Sequence, residues 1–287
     1  MEWMKTMAMT SGAVTIGTSL RAMTDTLPED GHVMPAFFIG HGSPMNALED
    51  NEFTRGWKAE MANVRKPAAI LCVSAHWLTR GTWVTAMDHP KTIHDFGGFP
   101  RELSEAQYTA PGLPELARRV SETVQGTPIG LDQDWGLDHG TWSVLKPVFP
   151  KADLPVVQVS IDLSKPGAWH YELAKELSNL RRRGVLILGS GNIVHNLRWM
   201  DGQRLDQGFD WALETNELTN RLILNRDHAK LCDYQSLGKS AARAIPTPDH
   251  YYPLLYTLAL QGPQEDVKIF NDKAVLGSIT MTSVRIG

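Results

Sequence analysis

The chain has 287 residues, of which 42% are hydrophobic and 21% charged, an ordinary composition for one large globular domain or two small ones. Its net charge of −4 and its scattered basic residues argue against a nucleic-acid partner. No stretch approaches the roughly 18 consecutive apolar residues of a membrane span, which argues against a membrane protein.

The first 33 residues are set apart from the remainder. Residues 6–20 are mildly apolar and rich in Thr, Ala and Gly, like the tail of a twin-arginine export signal, but no arginine pair precedes them. We interpret residues 1–33 as an N-terminal extension of a cytoplasmic protein. The alternative is a remnant export signal of a periplasmic protein whose true start lies upstream.

From residue 34 onward, strand-like and helix-like segments alternate. In chain order, the predicted strands are 34–40, 68–74, 83–87, 155–161, 185–190 and 274–286. The predicted helices are 50–64, 114–124, 141–149, 164–183, 208–225 and 229–241. The intervening segment 88–111 is rich in Pro and Gly and is predicted to be a long loop, which is more often functional than idle. This alternation predicts a single α/β domain over 34–287, with a largely parallel central sheet covered by helices on both faces.

Three histidines stand just past apolar strand-like runs. His41 follows Phe37 to Gly40, His76 follows Ile70 to Ala75, and His195 follows Leu186 to Val194. Buried strands that end in small-residue turns deliver such side chains to the carboxyl edge of a sheet, where open α/β folds place their active sites. Clustered imidazoles are natural ligands of a transition metal, so the pattern predicts a mononuclear metalloenzyme with its site at this edge.

Two further histidines, His139 and His250, lie in similar polar or glycine-rich contexts. Each of the five, taken singly, is more often a hydrogen-bonded structural residue than a ligand. Taken together they favour a metal, because burying several imidazoles side by side without one is costly. Neither His-Glu-x-x-His nor paired Cys-x-x-Cys occurs, so spacing alone does not identify the site.

Six ordered motifs carry a family resemblance. They are IGHGSPMN at 39–46, VSAHW at 73–77, TIHDFGGFP at 92–100, DHGTW at 138–142, GSGNIVHN at 189–196 and PTPDHY at 246–251. With them, the region from Met34 to Gly287 resembles the bacterial 4,5-DOPA extradiol dioxygenases. These belong to the class III extradiol ring-cleavage group, with the catalytic subunit of protocatechuate 4,5-dioxygenase as a more distant relative.

The resemblance implies an enzyme that opens a DOPA-like catechol with O2 to a semialdehyde, at one divalent metal ion per chain. It implies metal ligation by His41, His76, His195 and His250. It also implies acid/base roles for His139, which Asp138 is placed to orient, and for His195, whose assignment as ligand, base or both stays open. A histidine beside the metal would take a proton from the catechol and later return it.

The native metal stays open between zinc and iron(II). Distant class III relatives use two histidines and a glutamate, whereas His250 occupies the glutamate position here. Four neutral imidazoles leave the full dipositive charge on the ion, which suits zinc as well as iron, although oxygen chemistry requires iron(II). Asp249 holds either His250 or the chain turn, with the turn favoured.

Several aromatic residues near the motif histidines are candidates for substrate binding. In the segment 92–100 we expect His94, Phe96 and Phe99 to form part of the substrate mouth, with loop anchoring as the alternative for the two phenylalanines. Trp77 and Trp142 are expected to line the pocket, with core packing as an equal alternative.

Two other functions compete with ring cleavage. A zinc-dependent hydrolase on the same scaffold is favoured by the all-histidine set. A non-enzymatic binding protein is the third interpretation, which retention of all five histidines argues against. We expect a monomer or a small homo-oligomer.

Overall fold

The computed structural model describes residues 31–287, and the predicted extension lies outside this range except for its last three residues. Strands of the main sheet are β1 Ala36–Gly40, β2 Ala69–Thr79, β3 Thr82–Thr85, β4 Ile129–Asp132, β5 Val156–Asp162, β6 Val185–Gly191, β7 Val267–Phe270 and β10 Ser283–Ile286. They form an eight-stranded sheet in the order β4-β3-β5-β2-β6-β1-β10-β7. A separate two-stranded ribbon consists of β8 Ala274–Val275 and β9 Ile279–Thr280.

The centre of the main sheet is parallel. Strands β5, β2, β6 and β1 pair in parallel, whereas β10 and β7 continue the sheet antiparallel at one side. On the other side β3 is antiparallel to β5 and parallel to β4. The predicted α/β fold with a largely parallel, mixed sheet is therefore confirmed. One consequence is that β1, β2, β5 and β6 all end at the same edge.

Apolar side chains alternate between the two faces of the central strands, as the two-residue repeat of a strand requires. Phe37 and Ile39 pack on one face with the fully buried Trp57 and Trp142, whereas Phe38 packs on the other face. Both faces are buried, which explains why these strands are near-continuous apolar runs in the sequence.

Helices cover both faces. Their bounds are α1 Glu52–Met61, α2 Arg101–Glu105, α3 Pro114–Thr123, α4 His139–Val148, α5 Gly167–Glu176, α6 Asn179–Arg182, α7 Asp210–Leu224, α8 His228–Cys232, α9 Lys239–Ala244 and α10 Tyr252–Leu258. Asn51 caps α1 in a capping box with Thr54, and Asp138 caps α4 by accepting the backbone N–H of Thr141. Among residues 31–287 we find no helix with the length and apolar character needed to cross a bilayer.

Several predicted elements are divided in the structure. The helix predicted at 164–183 is two helices, α5 and α6, and the first begins at Gly167 rather than at Ser164, whose hydroxyl donates its proton to Asp162. The helix predicted at 229–241 is interrupted by a 3-10 turn and by Gly238, whose φ of +102° is incompatible with a right-handed helix.

The loop and the closing strand also differ from expectation. Segment 88–111 contains the short helix α2, and the closing strand predicted at 274–286 is broken into β8, β9 and β10. The break is a left-handed turn at Leu276 and Gly277, with φ of +51° and +78°, which no continuous strand accommodates. Strands β4 and β7 and helix α10 were not predicted.

Candidate metal centre

The five motif histidines come from five different elements. His41 follows the last residue of β1, His76 lies near the end of β2, and His139 is the first residue of α4. His195 follows β6 by four residues, and His250 precedes α10 by two. Because β1, β2 and β6 are parallel, their carboxyl ends meet at one edge of the sheet, and the helix starts converge on the same edge.

Three of these histidines form a compact group. One ring nitrogen from each of His41, His76 and His250 lies within 4.8 Å of the others. Between His41 and His76 the Nε2 atoms are 3.4 Å apart, and the three pairs of ring centroids are separated by 5.0–5.2 Å. His41 and His250 are buried, at 2% and 7% exposure. Three imidazole nitrogens this close have the spacing at which they can share one metal ion.

Each of the three imidazoles has its Nδ1 turned toward an oxygen atom. Nδ1 of His41 lies 3.0 Å from Oγ of Ser190, which must accept because it donates its own proton to the carbonyl of Gly140, 2.5 Å away. Nδ1 of His76 lies 3.3 Å from Oδ2 of Asp95, and Nδ1 of His250 contacts Oδ2 of Asp249. These partners assign the proton to Nδ1 and leave the lone pair on Nε2, where it is available to a metal ion.

The surroundings of His41 and His250 favour neutral imidazoles. Burial and the neighbouring histidines hold the pKa of His41 well below its ordinary value. Burial lowers the pKa of His250 to about 4, although Asp249 acts in the opposite direction. Neutral imidazole is the form that binds a metal, so His41 and His250 are in the binding form at neutral pH.

Two carboxylates face this cluster and stay ionised. Burial works against the charge of Asp95, but hydrogen bonding with His139 and His76 outweighs it and holds the pKa of Asp95 far below its usual range. The same balance between burial and hydrogen bonding to His250 holds the pKa of Asp249 well below its ordinary value. Although the sequence favoured a turn role for Asp249, its carboxylate contacts the ring of His250.

His195 lies beside the group of three rather than within it. Its ring stacks on His250, with centroids 3.5 Å apart and planes inclined by 10°. Within residues 31–287, its ring nitrogen forms a second potential ligand group with Asp249 and His250. Burial, followed by the charge of His250, lowers the pKa of His195 to about 2. Its assignment as metal ligand, base or both stays a prediction.

His139 stands on the opposite side, next to His76. The two ring centroids are 3.8 Å apart, and Nδ1 of His139 lies 3.0 Å from Oδ1 of Asp95. The expectation that Asp138 orients this histidine is wrong. That carboxylate instead caps α4 and accepts hydrogen bonds from Ser74 and Gln158, because the start of a helix turns its cap toward the free backbone N–H groups.

The two phenylalanines predicted to form part of the substrate mouth lie beside His139. Phe96 meets the ring of His139 edge-on at 5.5 Å, and Phe99 meets Phe96 edge-on at 5.4 Å with 36% of its surface exposed. His94, the third residue predicted here, has its Nε2 2.8 Å from the carbonyl of Ala106, and its ring contacts Phe96.

The two tryptophans predicted to line the pocket are buried. Trp142 is fully buried and donates its indole N–H to the carbonyl of Ile93, 2.8 Å away. Trp77 is 3% exposed and stacks on Trp135 with centroids 5.7 Å apart. These contacts are those of buried core residues, and a role in lining the pocket stays a prediction.

Close backbone approach at two glycines keeps the histidine elements together. A Cβ at Gly191 would lie 2.1 Å from the carbonyl oxygen of His250, and one at Gly140 would lie 2.4 Å from Oγ of Ser74 and 2.8 Å from the ring of His76. A larger residue at Gly191 would push β6 away from His250, and one at Gly140 would push the start of α4 away from β2.

Asp95 and Ser190 were missed as site residues. Both lie inside motifs that the sequence singles out, TIHDFGGFP and GSGNIVHN, so their position was a usable signal. Ser190 and His41 are 149 residues apart, however, and only the parallel pairing of β1 with β6 brings them together.

The chain is similar in sequence and in fold to known proteins. Residues 31–286 match the family model described as the catalytic LigB subunit of aromatic ring-opening dioxygenase. A protein of Escherichia coli K12 named 4,5-DOPA dioxygenase extradiol is 46% identical over 258 residues, covering 88% of this chain and 95% of its own length. A Beta vulgaris protein of the same name is 33% identical and covers 85% and 92%. The solved structure of an uncharacterized Escherichia coli K12 protein, JW3007, has a TM-score of 0.78 at 42% identity, covering 88% of this chain and all of that one.

Proposed function

The chain belongs to the family of the catalytic LigB subunit of aromatic ring-opening dioxygenases and is an extradiol ring-cleavage dioxygenase, and we propose that it opens a DOPA-like catechol. The name of the Escherichia coli and Beta vulgaris relatives supports this substrate class. The expected reaction consumes O2 and leaves a ring-opened semialdehyde. One divalent metal per chain is expected at the group formed by His41, His76 and His250.

The single observation that supports this proposal is the set of converging nitrogens. His41, His76 and His250 each turn Nδ1 to an oxygen partner and leave the lone pair on Nε2, and one ring nitrogen of each lies within 4.8 Å of the others. Such a donor set fits zinc or iron(II) by ligand type. We propose iron(II) as the catalytic metal, because it supplies the redox chemistry that O2 requires and zinc does not.

The neighbouring residues would manage protons and position the ring. His139, with Nδ1 facing Asp95, keeps its other nitrogen for a proton of the catechol hydroxyl. Phe96 and Phe99 present aromatic edges on which the catechol ring can pack. His94, Trp77 and Trp142 complete the proposed surroundings of the substrate.

His195 is proposed as the fourth imidazole of the site, at the edge of the group of three. A His195→Ala variant distinguishes its two roles. Loss of a ligand lowers the metal content of the purified protein. Loss of a base leaves the metal content unchanged and lowers kcat.

The proposal is tested by measuring metal content and oxygen consumption together. The protein is stripped of metal, loaded with iron(II) or with zinc, and incubated with a panel of catechols that includes DOPA. We expect oxygen uptake and a yellow semialdehyde only in the iron(II) sample, and neither in a His41→Ala control. Absence of product from every catechol with iron bound would refute the function. Hydrolysis of esters or amides by the zinc form under nitrogen would support the hydrolase instead.

The compartment and the assembly are further proposals. We propose a cytoplasmic protein that acts as a monomer or a small homo-oligomer. A mass spectrum of the mature N-terminus and sedimentation analysis test the two statements, and a cleaved extension would favour periplasmic export.

A further inference from the structure

One loop carboxylate contacts two site histidines that belong to different elements. Oδ1 of Asp95 accepts the backbone N–H of His139 at 3.0 Å and also lies 3.0 Å from Nδ1 of that residue. Oδ2 of Asp95 lies 3.3 Å from Nδ1 of His76. Asp95 therefore joins the end of β2 to the first residue of α4 through its two oxygen atoms.

The charge on this carboxylate restricts where each imidazole carries its proton. An ionised carboxylate is an acceptor only, so a nitrogen lone pair turned toward it at about 3 Å would be repelled. This holds for His139 even though its Nδ1 does not meet the full angular criteria of a hydrogen bond, because the repulsion does not require a linear contact. Both Nδ1 atoms are therefore protonated in the neutral rings.

The consequences differ for the two rings. In His76 the lone pair is left on Nε2, which lies 3.4 Å from Nε2 of His41. At this distance the two Nε2 atoms can bind the same metal ion. In His139 the lone pair is likewise left on Nε2, where it can accept a proton. The side chain of Asp95 is 21% exposed. This partial burial strengthens its electrostatic interaction with the two imidazoles.

We propose that Asp95 is a positioning residue that fixes, through one carboxylate, the tautomer of the metal ligand His76 and that of the base His139. This inference rests on the proposed function. It adds that ligand and base are set by a single group on the loop that also carries Phe96, so that metal binding and proton transfer depend on the same segment.

An amide cannot replace this carboxylate. In an Asp95→Asn variant, the side-chain oxygen accepts hydrogen bonds, whereas the side-chain NH2 group only donates them. If the acceptor serves Nδ1 of His76, the amide N–H group faces His139, whose proton is then driven to Nε2 and whose ability to act as a base is lost. If the acceptor serves His139, the amide N–H faces His76 and favours the tautomer that cannot bind through Nε2.

The tautomers are measured first in the unaltered protein. In 15N-labelled, zinc-loaded protein, long-range 1H–15N correlation spectra report which ring nitrogen carries the proton. We expect Nδ1–H for both His76 and His139, with Nε2 of His76 bound to zinc. An Nε2–H form of His139, or zinc on Nδ1 of His76, would overturn the inference whether or not any variant folds.

The second test compares Asp95→Asn with Asp134→Asn, a matched loss of an exposed carboxylate from the loop before α4. We expect Asp95→Asn to bind zinc about 10–100-fold more weakly, measured by competition with a chromogenic chelator. With iron(II) at saturation, its kcat should fall about tenfold or more while KM for the catechol changes less than about twofold. Asp134→Asn should keep the unaltered values.

Each outcome separates the inference from the proposed function. If the unaltered protein opens no catechol, the proposed function fails. If it opens one and Asp95→Asn matches Asp134→Asn in zinc affinity and kcat, only the role of Asp95 fails. Should Asp95→Asn not fold, as judged by circular dichroism, the tautomer measurement on the unaltered protein decides.

Discussion

The hydroxyl of Ser190 offers a sharp test of how the metal ligands are held. This fully buried side chain accepts from Nδ1 of His41 at 3.0 Å and donates to the carbonyl of Gly140 at 2.5 Å. A Ser190→Ala substitution removes both hydrogen bonds at once. It leaves a buried imidazole N–H and a buried carbonyl without their partner, and the tautomer of His41 is no longer determined.

Two separate losses follow from this change. Each buried group left without a partner costs about 1–3 kcal/mol, and losses above about 4 kcal/mol are exceptional for one substitution, so we expect the metal-free protein to lose about 2–4 kcal/mol of unfolding free energy. Loss of the group that orients a ligand lowers metal affinity about 10–100-fold. At a large fixed excess of zinc, the stabilisation by zinc then falls by a further ~1.4–2.7 kcal/mol.

The matched control is Ser160→Ala. Ser160 is also a fully buried strand serine with two hydrogen bonds, to Oγ1 of Thr79 at 2.7 Å and from the backbone N–H of Trp83 at 2.8 Å. Urea unfolding with and without zinc, together with chelator competition, measures both losses. We expect both variants to be less stable and only Ser190→Ala to bind zinc more weakly. Equal zinc affinity in the two variants would refute the reasoning about the His41 tautomer.

Three further predictions concern other parts of the molecule. Arg181→Met removes a guanidinium that pairs with Glu265 and is only 2% exposed. Breaking such a pair should lower the free energy of unfolding in urea by about 3–5 kcal/mol. A loss below about 1 kcal/mol would contradict this prediction. Burial lowers the pKa of His170 to about 4, below its ordinary 6.5. As the pH drops, the unfolded chain therefore binds the proton before the folded protein does. The unfolding free energy should fall by up to ~3 kcal/mol between about pH 6.5 and about pH 4. His170→Gln should flatten that part of the stability profile, and an unchanged slope would count against it. Phe96→Leu removes an aromatic edge that contacts His139 and on which we propose that the catechol packs. An aromatic contact of this kind is worth about 0.5–1.5 kcal/mol, so KM for the catechol should rise several-fold in steady-state assays with kcat nearly constant. An unchanged KM would place the substrate elsewhere.

The strands that carry the site were predictable from local sequence. β1, β2 and β6 are apolar runs because both faces of the sheet are buried, and His41, His76 and His195 follow from where those runs end. The tail was not predictable in the same way. Its β-forming residues continue through 274–286, but the left-handed turn at Leu276 and Gly277 depends on backbone hydrogen bonds to Leu205, Gln207 and Phe209, about 70 residues earlier in the chain.

The amino-acid sequence by itself determined the fold class, the edge of the sheet at which the histidines collect and, through six motifs, the family. Those features depend on local patterns of burial and on residues close together along the chain. Only the tertiary structure decided which oxygen atom faces each imidazole: Ser190 for His41, Asp95 for His76, and Asp95 rather than Asp138 for His139. The physical reason is that a hydrogen bond requires its two atoms to be within about 3 Å, and partners 44 or 149 residues apart meet only after the strands have paired.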